Sequence, residues 1–190
     1  PGKLLPVLGV RLSATHSGIK SNLDITDLVL VEISDSANLS ATFTTNKFCA
    51  APVTVAKEHL AKQTSIRYLL INSGNANAGT GEQGYVDAIA CCQAVAERAP
   101  SLSVDKVLPF STGVIAAKLP ADQICKSIPR LFDSLDEDKW LEAAQGIMTT
   151  DTFPKAISEQ VVVSGETVTI TGITKGSGMI KPDMATMLAY

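Results

Sequence analysis

The chain has 190 residues, 45% of them hydrophobic and 18% charged, with a formal net charge of −3 and an isoelectric point near 5.4. That length suffices for one large or two small domains with a real core, and a weakly negative chain with neither a Lys/Arg cluster nor interleaved aromatics excludes nucleic acid and anionic membrane as partners. The charged share lies below the ~25% usual for soluble domains, so the composition predicts small-solute chemistry and an apolar surface that a partner chain covers.

In chain order, Pro1-Gly-Lys-Leu-Leu-Pro-Val-Leu-Gly9 has no basic stretch followed by a long apolar run, so it does not read as a secretory signal and the expected compartment is the cytoplasm. The runs 28–33 and 39–44 read as strands joined by a polar turn containing Asp35 and Asn38, which predicts a hairpin. Residues 53–62 form a helix candidate and 68–72 a short apolar strand. After a Gly/Asn-rich loop, 82–98 is the longest helix, with Thr80 as N-cap, Gln83 three residues on and Pro100 as its stop. Residues 106–111 read as a strand, 120–132 and 136–147 as helices, and 160–163 with 167–173 as a hairpin over Ser164-Gly165. Strands interleaved with helices predict sheets covered by helices, with no repeat or linker that marks a domain boundary.

The four cysteines, Cys49, Cys91, Cys92 and Cys125, include no CxxC pair and have only His16 and His59 as imidazole partners, so no metal site is expected. Cys91 and Cys92 sit in a helical pattern and read as small buried hydrophobes. Gly79-Thr-Gly-Glu-Gln-Gly84 is formally G-x-G-x-x-G. A dinucleotide fingerprint needs its first glycine directly after the strand and an acidic residue at the end of the next strand. Residues 73–78 intervene, and the next strand runs into Ser111-Thr112-Gly113 without a carboxylate, so this loop reads as a scaffold beside a site.

Three polar constellations remain. Ser111-Thr112-Gly113 ends a strand in a hydroxyl and a glycine, and reads either as a common turn or as a donor pair for a developing oxyanion. Met148-Thr-Thr-Asp-Thr-Phe-Pro154 follows a helix pattern and reads as a turn that closes it. In Lys175-Gly-Ser-Gly-Met-Ile-Lys-Pro-Asp-Met-Ala-Thr-Met-Leu188, glycines and small residues surround Thr186, which is either a buried strand threonine or a nucleophile able to attack the carbonyl of Ala185.

Together, Asn72-Ser-Gly-Asn-Ala-Asn-Ala78, Ser111-Thr-Gly-Val-Ile115, Met148-Thr-Thr-Asp-Thr152 and the long final motif resemble the ornithine acetyltransferase (glutamate N-acetyltransferase) family of arginine biosynthesis, from about Gly9-Val-Arg11 to the last residue. The resemblance implies an α/β layered sandwich of two β-sheets flanked by helices and completed by a β chain. Self-cleavage between Ala185 and Thr186 would make 1–185 an α chain and 186–190 the start of the β chain, in an α2β2 heterotetramer. Thr186 would carry acetyl from N2-acetylornithine to glutamate by a ping-pong route. The oxyanion pair falls on Thr112 and Gly113, and substrate contacts on Thr149, Lys175 and Thr186, with Thr150 and Thr152 close beside Thr149. A lysine suits the α-carboxylate shared by donor and acceptor.

The resemblance implies no cofactor and no metal, and leaves open whether acetyl-CoA also donates, as it does in bifunctional members. This sequence departs from the family at Gly79, where cysteine is frequent, and at Ala116, where glycine is usual; neither removes a reacting group. The rival readings are a self-processing N-terminal-nucleophile amidohydrolase, in which acyl-Thr186 passes to water, and a non-catalytic fragment that only binds a partner.

Overall fold

The computed structural model describes residues 2–62, 65–177 and 187–190. The apolar run Leu28–Ile33 forms β2 of a four-stranded sheet in the order β1-β2-β3-β4, with β1 at Val10–Thr15, β3 at Tyr68–Asn75 and β4 at Val107–Val114. The first two pairings are antiparallel. The β3–β4 pairing is parallel, as a helical crossover requires, and α2 (Gly81–Arg98) supplies it.

Why β2 and β3 are apolar at consecutive positions follows from what covers the sheet. Leu28, Leu30, Tyr68, Leu70 and Val107 enter one core with Cys91, Cys92 and Val95 of α2 and Ile124, Ile128 and Leu131 of α3 (Ala121–Asp133). Their neighbours Val29, Val31, Leu69, Ile71 and Leu108 enter a second core on the other face, with Ala143 and Ala144 of α4 (Trp140–Gly146). A strand buried on both faces loses the alternation of a half-exposed one. The second core also takes Ile173 and Leu188 from a three-stranded sheet, β5 (Lys155–Val163), β6 (Glu166–Lys175) and β7 (Leu188–Ala189). The architecture is therefore the expected α/β arrangement of two sheets with helices. The remaining helix, α1 (Ala51–Lys62), places Val55 in the first core and Ala56 in the second.

Several local expectations are corrected. Residues 39–44 form no strand, because both edges of β2 are already taken, by β1 on one side and β3 on the other; Leu39 and Phe43 instead pack against the second core. The helix expected over 136–147 begins only at Trp140. Asp136 has its backbone engaged in an antiparallel bridge with Leu12, donating at 3.0 Å and accepting at 2.8 Å, and its carboxylate accepts from the Asp138 N–H at 2.8 Å. Thr80 stands at the N-cap of α2 but makes no capping bond. Its hydroxyl donates to Asn77 Oδ1 at 2.8 Å, and Gln83 turns to Asp87 Oδ1 at 2.8 Å. The turn of the β5–β6 hairpin is formed by Ser164 (φ 53°) and Gly165 (φ 88°), the two positive φ values that suit the twist of the strands.

Leu30 has no exposed surface and belongs to the first core. Leu30→Ala should lower unfolding free energy by roughly 2–5 kcal/mol with an unchanged denaturant m-value; a loss below about 1 kcal/mol would show that the two-faced core does not rest on this sheet.

Candidate active site

The parallel strands β3 and β4 end side by side, Asn72 opposite Ser111, Ser73 opposite Thr112 and Gly74 opposite Gly113, with a register shift at Gly74/Asn75. Gly74 has φ 104° and Gly113 φ 135°. A Cβ on Gly113 would lie 2.6 Å from the Asn75 nitrogen and 2.7 Å from Gly74 Cα, closer than backbone permits, so only glycine lets the strands meet at this point. Beyond it opens a cleft of about 510 Å³, lined by Gly74, Ala76 and Ala78 after β3, by Thr112, Gly113, Val114 and Ile115 from β4, and by Lys20, Thr149, Thr150, Lys175 and Ser177.

Buried amides hold the β3 end. Asn72 Nδ2 donates to the Asn75 carbonyl at 2.8 Å, and its Oδ1 accepts from Ser111 Oγ at 2.6 Å. Asn75 Nδ2 donates to the carbonyls of Ala117 and Lys118 at 3.2 and 3.1 Å, and its Oδ1 accepts from the Asn77 N–H at 2.8 Å. Asn77, at φ 46°, donates to the Gly84 carbonyl at 2.8 Å. The Asn/Gly loop is thus a rigid wall of the cleft; of the formal G-x-G-x-x-G, Gly79 and Gly81 take left-handed backbone at φ 69° and 61°, while Gly84 lies within α2, where a Cβ would come 2.5 Å from Asn77 Oδ1.

Four residues singled out from the sequence come together in this cleft: Thr112, Gly113, Thr149 and Lys175. Thr112 is buried, and its Oγ1 accepts a hydrogen bond from Lys175 Nζ at 3.0 Å. A hydroxyl that accepts from an ammonium keeps its own proton to donate, and is polarised into a stronger donor. Lys175 reaches the cleft from the end of β6, so this bond joins the two sheets. Burial lowers the Lys175 pKa, the Asp151 carboxylate opposes that shift, and Lys155 adds to it. Of the Thr149, Thr150 and Thr152 cluster, the first two line the cleft. Ala185 and Thr186 lie outside the described residues.

Two polar side chains at this site were not among the residues expected there from the sequence: Asp151, within the Met148–Thr152 motif, and Lys20, outside every motif. Asp151 is buried; its Oδ1 accepts from Lys155 Nζ at 2.6 Å and from the Gly176 N–H at 2.9 Å, and its Oδ2 from the Thr149 N–H at 3.3 Å. Burial alone would raise its pKa, but these donors bring it down to about 2. Lys20 lines the cleft and donates to the carbonyls of Met148 at 2.8 Å and Thr26 at 3.2 Å. Burial lowers its pKa, with Asp27 acting against that. Among the described residues no group of three or more His, Cys, Asp or Glu is placed to hold a metal ion, and no helix is long and apolar enough to cross a membrane.

A two-sheet α/β sandwich with hydroxyl, glycine and ammonium gathered at the strand ends defines the class. The ArgJ family matches residues 11–190, and the chain belongs to it. It is 48% identical to the arginine biosynthesis bifunctional protein ArgJ of Colwellia psychrerythraea, over all of this chain and 47% of that protein. The ArgJ of Methylococcus capsulatus is 49% identical over 99% of this chain and 45% of its own length. The chain thus spans about half the length of the curated relatives it matches. Among solved structures, ArgJ of Bacillus halodurans superposes with a TM-score of 0.85 at 34% identity, covering 96% of this chain and 92% of that one. The ornithine acetyltransferase of Mycobacterium tuberculosis, solved with ornithine, gives 0.78 at 29% identity, covering 98% and 96%.

The two departures from the family pattern meet in space. A Cβ on Gly79 would lie 3.8 Å from both Cα and Cβ of Ala116. Ala116 also has φ 61°, a left-handed conformation that costs an L-residue about 1–2 kcal/mol. An ordinary Ala→Gly change in a loop loses ~0.4–1 kcal/mol through the unfolded state. Ala116→Gly should instead leave stability unchanged or raise it by up to about 1 kcal/mol in denaturant melts; a loss of ordinary size would mean that the left-handed backbone carries no strain.

Proposed function

We propose that this chain is the α portion, with the first residues of the β portion, of an enzyme that moves acetyl from N2-acetylornithine to glutamate through an acetyl-threonine. The observation that carries the reading is the 3.0 Å hydrogen bond between Lys175 Nζ and Thr112 Oγ1. It brings the expected carboxylate binder and the expected oxyanion donor, 63 residues apart in sequence, into one cleft with Gly113 and Thr149. Ornithine in the Mycobacterium tuberculosis homologue supports the substrate class.

The chemistry starts with maturation. Thr186 Oγ adds to the Ala185 carbonyl, the peptide C–N bond breaks and an ester forms; water then releases Ala185 as a carboxylate and leaves Thr186 with a free α-amine. That amine, near pKa ~7.7–8.0, serves its own hydroxyl as base. Residues 1–185 and 186–190 then belong to separate chains, in an α2β2 assembly. In turnover the Thr186 hydroxyl attacks the acetyl carbonyl of acetylornithine. The tetrahedral oxyanion takes hydrogen bonds from the Thr112 hydroxyl and the Gly113 N–H, the α-amine returns the proton to the departing ornithine nitrogen, and glutamate repeats the sequence in reverse. Lys175 binds the α-carboxylate common to both substrates. Thr149 supplies a neutral hydrogen bond beside it.

Two measurements test this on the full-length protein. Intact mass should show two chains, and acetylornithine should add one acetyl to the chain that begins at Thr186, with glutamate accelerating its loss. Loss of acetyl at the same rate without glutamate would instead indicate a hydrolase. Thr186→Ala should remain a single inactive chain, because neither ester can form; two chains from that variant would sink the mechanism.

The oxyanion role of Thr112 has a separate kinetic signature. Thr112→Val should lower kcat by roughly 10²–10³, the usual loss for one oxyanion donor, while Thr112→Ser keeps most of the activity. Single-turnover acetylation of already cleaved protein isolates the effect, and an unchanged rate in Thr112→Val would return Ser111-Thr112-Gly113 to a structural turn.

A further inference from the structure

The peptide unit between Met148 and Thr149 is gripped at its two ends by groups of opposite charge, the half-buried Lys20 and the buried Asp151. Its carbonyl oxygen accepts from Lys20 Nζ at 2.8 Å, and its N–H donates to Asp151 Oδ2 at 3.3 Å. Ammonium on the carbonyl and carboxylate on the N–H is the favourable order for a peptide dipole, and both bonds are charge-assisted. Neither gripping group is free to wander. Lys20 donates a second bond, to the Thr26 carbonyl at 3.2 Å, and its own N–H is held at 2.9 Å by Asp27, a fully buried carboxylate that also accepts from the N–H groups of Ser17 and Ile19 at 2.6 and 2.8 Å. Asp151 is fixed by Lys155 at 2.6 Å and by the Gly176 N–H at 2.9 Å. That last bond falls on the peptide that follows Lys175, so one carboxylate sets both the Thr149 and the Lys175 backbones.

We propose that Lys20 and Asp151 are positioning residues that clamp the Met148–Thr149 peptide between them and thereby hold Thr149 and Lys175 at the spacing the shared substrate moiety requires. The proposal rests on the reading of the cleft as an acetyl-transfer site. It assigns Lys20, 128 residues from its partner Met148, a role that acts through Thr149. A purely structural lysine would affect folding, and any effect on substrate would be independent of Thr149. A positioning lysine must lose its influence on substrate once Thr149 has no side chain to position.

A double-mutant cycle on the mature full-length enzyme reads that difference. Lys20→Met should raise KM for both acetylornithine and glutamate roughly tenfold, the scale of one lost charge-assisted hydrogen bond, with kcat nearly unchanged. Lys20→Arg, which keeps a cationic donor, should recover much of the loss. In a Thr149→Ala background, Lys20→Met should add little further. Equal fold-changes in KM with and without Thr149 overturn the proposal.

Asp151→Asn breaks the grip from the other end of the peptide, because one amide oxygen cannot serve the three donors that the carboxylate accepts; since Asp151 also holds the Gly176 N–H, this variant is read at the Thr149 amide and not by the cycle, and that reading decides the matter if Lys20→Met does not fold. Hydrogen exchange at the Thr149 amide reads the clamp without any turnover: exchange should accelerate in Asp151→Asn, and an unchanged rate overturns the clamp even in an active enzyme. A wild-type protein that transfers no acetyl would overturn the functional reading, leaving the clamp to stand or fall on the exchange rate.

Discussion

The hydrogen bond from Lys175 Nζ to Thr112 Oγ1 is the constraint on which the cleft depends, because it links the reactive end of one sheet directly to the reactive end of the other. A buried ammonium is expensive unless it is paired and hydrogen-bonded. Here the compensation comes from a hydroxyl in the four-stranded sheet and from the field of Asp151. The arrangement ties the two functions together. Moving Lys175 to suit a substrate carboxylate changes the polarisation of the Thr112 hydroxyl, and the opposite motion removes an acceptor from a buried cation. Such coupling asks for a stiff surround, which the Asn72, Asn75 and Asn77 amides and the Gly74–Gly113 contact provide.

How much of the fold could be read from the sequence depended on what each segment was buried against. β2, β3 and the start of β4 were legible because two cores cover the central sheet, leaving short continuous apolar runs. β1 was missed although Val10–Thr15 alternates apolar positions with Arg11, Ser13 and Thr15, the pattern of a half-exposed strand. Residues 39–44 imitated a strand because β-branched and aromatic residues follow a polar turn, yet neither edge of β2 was left to receive them. Asp136 and Thr80 show a subtler limit. Each obeyed a helix-start rule locally, and each had its hydrogen-bonding group claimed elsewhere, by the Leu12 backbone and by Asn77.

The candidate site divides along a different line. Thr112, Gly113, Thr149 and Lys175 were visible because motif order ties them to a family, and they converge on one cleft. Asp151 lay inside a quoted motif and read only as part of a turn, while Lys20 lay outside every motif. Both act chiefly on backbone groups, and a peptide N–H or carbonyl is the same at every position. A side chain whose partner is a distant peptide therefore leaves no signature in residue types or spacing. Ala116 is the converse case: its departure from glycine was visible in the sequence, but its meaning required the backbone, which is left-handed there and faces Gly79.

The apolar excess in the composition also has a location. Cross-strand partners share a sheet face, so the β5–β6 register puts Ile157, Val161 and Val163 on one face with Val168 and Ile170. All five are exposed. The opposite face carries Ala156 and Ile173 into the second core and Thr169 and Thr171 beside them. Cross-strand aliphatic pairs such as Val161–Val168 contribute only ~0.2–1 kcal/mol each, so a hairpin with its outer face in water draws most of its stability from the inner face. The inner face is also the one that ends at Lys175. Stability of the hairpin and placement of the cleft lysine therefore come from the same buried contacts, and the outer aliphatic face is the part of this sheet that the cleft does not need.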